Sequence, residues 1–137
     1  MTNVTPKTFT WPIRIYFEDT DATGVVYHAN YLRYFERARS EWLRARGQTH
    51  QKMLKDFGAV FTLSEMNVKY LKPARLGEVL EATVEVAETS RITLTFAQTL
   101  RRPEAPSEVL TRATARVVCV DAVSFKPRAW PAGWLAA

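Results

Sequence analysis

The sequence predicts an α+β domain in which one antiparallel sheet of five strands curls around a single long helix. Apolar residues recur at helical spacing over residues 28–46, and after Gly58 the period falls to two in four successive segments. Size gives a third observation, because 137 residues with 47% hydrophobic content suffice for one core but not for two. The chain is therefore read as one domain spanning 1–137.

Residues 1–10, MTNVTPKTFT, lack periodicity and are expected to be a flexible lead-in. The first strand is predicted over residues 11–17, WPIRIYF, with Trp11, Ile13, Ile15 and Phe17 on one face. An acidic, turn-forming loop, EDTDATG, separates it from the helix over 28–46. In that helix Tyr31, Phe35, Ala38, Trp42 and Ala45 recur at intervals of 4, 3, 4 and 3, the stripe of a helix packed on one side, and Gly47 ends it. Residues 48–57 predict a second, short helix stopped by Gly58. Strands are predicted over 60–71, 78–89, 91–100 and 108–121, joined by turns and expected to follow one another as antiparallel hairpins. The Pro-broken, aromatic end KPRAWPAGWLAA is expected to lie across a sheet edge. One helix covers only one face of such a sheet, so burial against a second copy of the chain is expected.

Composition excludes several classes. No segment approaches the roughly 18 apolar residues of a membrane helix, and the N-terminus has neither the basic nor the apolar region of a secretory signal, so a cytoplasmic protein is expected. The lone Cys119, in the apolar run RVVCVD, reads as a buried, inert thiol. A net charge of +5 permits polyanion binding, but the basic residues are scattered among acids without a basic stripe or stacking motif, which argues against nucleic acid.

The chemistry-bearing stretch is Trp11 to Gly47, with Asp21 on the loop and Gly24 and His28 close behind. Asp19-Thr20-Asp21-Ala22-Thr23-Gly24 begins like a calcium-binding EF-hand loop, but position twelve is Asn30 where a bidentate Glu is required, and a strand pattern precedes it. With only His28 and His50, no ligand-spaced histidine pair exists. A helix cap is the other structural role for Asp21, yet Val25-Val26-Tyr27 intervenes before the helix, which makes Asn30 or His28 the better cap. The pattern alone leaves Asp21 open between a functional and a solvated carboxylate. The His28 side chain is likewise open between a structural and a catalytic imidazole. Its backbone N–H, at the positive end of a helix, is suited to donate to a carbonyl oxygen that gains negative charge.

The stretch YFEDTDATGVVYHANYLRYFERARSEWLR, supported by VKYLKPARLGE at 68–78 and by VVCVD with KPRAWP at 117–131, resembles the hotdog-fold acyl-CoA thioesterases. Within them it is similar to the branch associated with the Tol-Pal system, next to the 4-hydroxybenzoyl-CoA thioesterases. The resemblance implies a five-stranded antiparallel sheet around the 28–46 helix and a homodimer, assembled into a dimer of dimers, with active sites at the dimer interface. It also implies that Asp21 of the D-x-x-G motif is catalytic, with Gly24 completing the motif and His28 assisting through its N–H and side chain. A carboxylate acting on water or attacking the carbonyl directly, aided by oxyanion donors, suits thioester cleavage. No cofactor is implied, because coenzyme A is part of the acyl-CoA substrate.

Val25, Tyr27, Asn30 and Tyr31 are expected to line the substrate site, and Lys69, Lys72, Arg75, Arg91, Lys126 and Arg128 are candidate partners for the coenzyme A phosphates. The chain departs from the family in two places. Phe17 stands where many relatives carry tyrosine, so no role for that hydroxyl carries over. Thr23 replaces a frequent glycine, which is expected to stiffen the loop. The competing reading is a binding or scaffold protein of the envelope-maintenance machinery with vestigial activity. Intact Asp21, Gly24 and His28 argue against it.

Overall fold

The computed structural model describes residues 8–135. Five strands, β1 (Phe9–Arg14), β2 (Ala59–Tyr70), β3 (Val79–Thr89), β4 (Thr93–Arg102) and β5 (Ala105–Asp121), accompany two helices, α1 (Asn30–Ala45) and α2 (His50–Phe57). The strands form one five-stranded antiparallel sheet, as the α+β reading predicts, in the order β1-β3-β4-β5-β2.

The α1 stripe packs on the inner face of this sheet. Tyr31, Tyr34, Phe35, Ala38, Trp42 and Leu43 are buried against Ile13 of β1, Leu80, Ala82 and Val84 of β3, Leu94, Phe96 and Leu100 of β4, and Leu110, Ala113 and Val117 of β5. Each large side chain so removed from water contributes roughly 1.5–3 kcal/mol. Ala45 is exposed, because the stripe has rotated off the sheet by the last turn. One polar clamp fixes the helix on the sheet. Gln98 of β4 is buried, accepts from Arg39 Nη1 at 2.9 Å and donates to the Phe35 carbonyl at 3.0 Å.

The remaining elements differ from the sequence pattern in ways that local forces explain. The lead-in is shorter than expected, since Phe9 and Thr10 pair with Val84 and Thr83; residues 1–7 lie outside the described residues. The first strand stops at Arg14. The Asp19 carboxylate accepts the Tyr16 N–H and starts a 3-10 turn over Phe17–Asp19, which leaves Phe17 81% exposed and outside the core. The four later strands are not all joined as hairpins. Leu71 to Glu78 carry the chain from β2 past the start of α1, so β3 lies three places away and β2 becomes an edge that, among the described residues, pairs only with β5. At the middle of that link the Ala74 N–H donates to the Tyr31 hydroxyl, and the Ala74 carbonyl accepts the Val26 N–H.

Thr49 caps α2 by accepting the Lys52 N–H, and Gly58 closes it at φ +62°, a left-handed conformation that glycine adopts without strain. The C-terminal segment lies beside the end of β5, with the Arg128 N–H on the Cys119 carbonyl and the Trp130 N–H on the Arg91 carbonyl. There Trp130 and Trp134 stack at 4.6 Å and pack on Phe61, beside a small second core of Met53, Ala59 and Cys119. Burial pushes the Cys119 thiol pKa up, which keeps it protonated.

Candidate active site

The loop before α1 is a miniature β-ladder. Thr20 bridges Val26, the Tyr27 N–H donates to the Asp19 carbonyl, and the Asp21 N–H donates to the Val25 carbonyl. Asp21 and Gly24 close its tip, where the Gly24 N–H donates to the Asp21 carbonyl. Gly24 takes φ +81°, the left-handed region that penalises any Cβ, which is the physical reason for the glycine of D-x-x-G.

The β2–β3 link clasps this ladder. Val25 bridges Arg75, and the Leu76 N–H donates to the Gly24 carbonyl. Glu78 braces the link in turn by accepting the Arg75 N–H at 2.8 Å and pairing with Arg102 at 2.5 Å. Burial works against the charge of Glu78, but the Arg102 guanidinium and the Arg75 N–H outweigh it and hold the carboxyl pKa below its usual value.

Asp21 is exposed, and its Oδ1 accepts both the Thr23 hydroxyl, at 2.6 Å, and the Thr23 N–H, at 2.8 Å. These bonds, the hydroxyl foremost, hold its carboxyl pKa below the usual value, so it is ionised at neutral pH. It lines an open depression with Phe17, Glu18, Thr20, Ala22, Gly24 and Leu76.

His28 lines a neighbouring cavity of about 280 Å³ with Val26, Tyr31, Tyr70, Leu71, Lys72 and Pro73. The His28 carbonyl accepts the Tyr70 hydroxyl at 3.1 Å and the Tyr31 N–H at 3.4 Å. Its own N–H, two residues before α1, has no acceptor among the described residues. Its ring lies 4.4 Å from the exposed Tyr27 ring and is not hydrogen-bonded to any described residue. Asp21 and His28 thus sit at opposite ends of one hydrogen-bonded loop.

The expected cap is absent. α1 begins after Ala29 without a side-chain cap, because the Asn30 Nδ2 donates to the Asp19 carbonyl and ties the helix to the loop instead. Tyr31 lines the cavity with its ring, while its hydroxyl is committed to Ala74.

Of the basic candidates, Lys72 and Arg75 stand on the link beside the loop, and Lys72 is paired with Glu108 at 2.8 Å. Lys69 of β2 stands opposite Arg112 of β5, on a separate depression with Asn67 and Thr114. Arg91 lies in the β3–β4 turn, and Lys126 and Arg128 lie beside the end of β5. These three are at the far end of the sheet from Asp21, roughly 30 Å along β3 at about 3.3 Å per residue. Arg128 donates to the Phe57 carbonyl and faces Asp121 at 3.8 Å. Among the described residues no group of three His, Cys, Asp or Glu side chains is placed to hold a metal ion, and no helix is long and apolar enough to cross a membrane.

Two residues at this site escape a reading of pattern. Tyr70, at the end of a strand pattern, steers the His28 peptide. Thr23 reads as a stiffening loop residue but binds Asp21 directly.

A curled five-stranded antiparallel sheet around one long helix is the hotdog arrangement, and the chain belongs to the thioesterase superfamily, whose family model matches residues 23–108. It is 44% identical over 123 residues to the acyl-CoA thioester hydrolase YbgC of Escherichia coli O6:H1, covering 90% of each chain. The acyl-CoA thioesterase YbgC of Haemophilus influenzae is 42% identical over 123 residues, covering 90% of this chain and 88% of that one. Among solved structures, a probable thioesterase from Bartonella henselae superposes with a TM-score of 0.84 at 27% identity, covering 91% of this chain and all of the other.

Proposed function

We propose that the protein hydrolyses acyl-CoA thioesters, with short- or medium-chain or aromatic acyl groups, to the free acid and coenzyme A. Asp21 is the reacting carboxylate and the His28 N–H is the oxyanion donor. The observation that carries this reading is the His28 peptide. Its carbonyl is held by Tyr70 and Tyr31 while its N–H has no acceptor among the described residues, so the donor is pre-aimed at no cost in lost internal bonding. A thioester carbonyl placed against that N–H gains polarisation as the tetrahedral oxyanion forms. Asp21 either takes the proton of the attacking water or adds to the carbonyl to give an anhydride that water then opens. Both routes release coenzyme A as the thiol.

The reading extends to a homodimer, and to a dimer of dimers, with the site completed across the interface. Phe17 and Leu76 beside Asp21, and Tyr27, Tyr70 and Leu71 beside His28, are large apolar side chains left exposed by one chain, and β2 is a sheet edge with no strand on its outer side among the described residues. Such a surface is better satisfied by a second copy than by water.

Thiol release from a panel of acyl-CoA esters tests the function. Asp21→Asn is expected to abolish nearly all turnover with the fold intact, and wild-type rates in that variant would refute the assignment. His28→Ala is expected to lose less, because the backbone N–H survives. Uniformly negligible kcat/KM across the panel would instead favour the scaffold role in the Tol-Pal system.

A further inference from the structure

The Thr23 hydroxyl is the one side chain among the described residues that hydrogen-bonds the Asp21 carboxylate. Its bond falls on the same oxygen, Oδ1, that already takes the Thr23 N–H. The backbone bond belongs to the turn and any non-proline residue supplies it. The hydroxyl bond belongs to threonine or serine alone. Oδ2 accepts from no described residue, and Asp21 borders the open depression between Phe17 and Leu76.

We propose that Thr23 is a positioning residue of the site: its hydroxyl pins Oδ1 of Asp21 and leaves Oδ2 as the oxygen that meets the water or the acyl carbon. This deepens the reading of Asp21 as the reacting carboxylate and rests on it. Without the hydroxyl, the Thr23 N–H alone holds Oδ1 at an exposed turn, so the carboxylate is less restrained and the reacting geometry is met less often. With it, one rotamer is held by two donors before substrate arrives. The same bond favours the ionised form, so it also extends activity toward acid. Threonine adds a third restraint, because its branched Cβ limits rotation about χ1.

The experiment compares Thr23→Val, which keeps shape and N–H but loses the hydroxyl, with Thr23→Ser, which keeps the hydroxyl. For Thr23→Val, kcat is expected to fall by roughly tenfold, with KM within about twofold. The acid limb of the kcat/KM profile is expected to move to higher pH, and Thr23→Ser should restore both. A ¹³C titration of the Asp21 carboxyl, read without turnover, should show its midpoint rising in Thr23→Val and returning in Thr23→Ser. Wild-type kcat, acid limb and carboxyl midpoint in Thr23→Val would overturn the proposal, and so would Thr23→Ser behaving like Thr23→Val, since packing would then be the cause. Asp21→Asn separates the two levels. If it is inactive while Thr23→Val is unchanged, only the role of Thr23 fails; if it turns over normally, the reading of Asp21 fails and takes this inference with it.

Discussion

The hydroxyl of Tyr31, on the first turn of α1, accepts the backbone N–H of Ala74 at 3.0 Å, and both residues are buried. That bond joins the helix to the link that crosses from β2 to β3. The same link carries the Ala74 carbonyl on which Val26 is hung and the Leu76 N–H that holds Gly24. A helix residue, a crossing and the acidic turn are therefore one mechanical unit. Tyr31→Phe leaves the Ala74 N–H buried without a partner, at a cost of about 1–3 kcal/mol. Urea unfolding should show a lower midpoint with the same slope, together with a drop in kcat as the loop loosens.

Gly24 isolates the conformation of the turn from its packing. A Cβ there would meet nothing within 4 Å, so the cost of Gly24→Ala lies in the backbone at φ +81° alone. About 1–2 kcal/mol is expected. The turn relieves that strain by rotating, which displaces Asp21. The expected outcome is a loss of kcat of tenfold or more with thermal stability lowered only slightly. A variant with wild-type kcat would show that the turn tolerates another shape.

Glu78 predicts a pH dependence of stability. Its folded carboxyl pKa is lowered, because Arg102 and the Arg75 N–H outweigh burial. The stabilisation it supplies is thus fully present above the ordinary glutamate value of about 4.3 and is lost as pH falls through the lower folded value. Glu78→Gln should be less stable than the wild type at pH 7, and the two should converge in acid as pH falls through the lowered folded value and the wild-type carboxylate is protonated. Thermal unfolding across that range checks it. A difference independent of pH would assign the effect of Glu78 to packing.

Helix α1 shows how much of this was legible in the chain. Tyr31, Phe35, Ala38 and Trp42 are buried where their spacing places them, because a 3.6-residue period puts them on one face and the sheet offers one apolar face to receive it. Strand existence was equally legible from the period of two, but strand order was not. β2 reads as half of a hairpin with β3 and yet pairs with β5, because a period of two states which face a residue takes and nothing about the neighbouring strand. Phe17 reads as core and is exposed, since the Asp19 carboxylate turns the chain one residue after Tyr16. The basic residues show the same limit, because nothing along the chain separates Arg75, beside the acidic turn, from Arg91, at the opposite end of the sheet.

The sequence by itself determined the α+β class, the stripe of α1, the glycine of the turn and the D-x-x-G stretch with its family. Each of these is set by local rules, namely residue period, backbone freedom and motif. Tertiary structure alone decided that the β2–β3 link clasps the Asp21 turn, that Tyr70 and Tyr31 hold the His28 carbonyl and leave its N–H without an acceptor among the described residues, and that Tyr31 spends its hydroxyl on Ala74. Apart from the local bond of the Tyr31 N–H to His28, those contacts join residues about 40 or more positions apart. They form only when the sheet closes over the helix, because a hydrogen bond is decided by distance in space and the chain records only distance along itself.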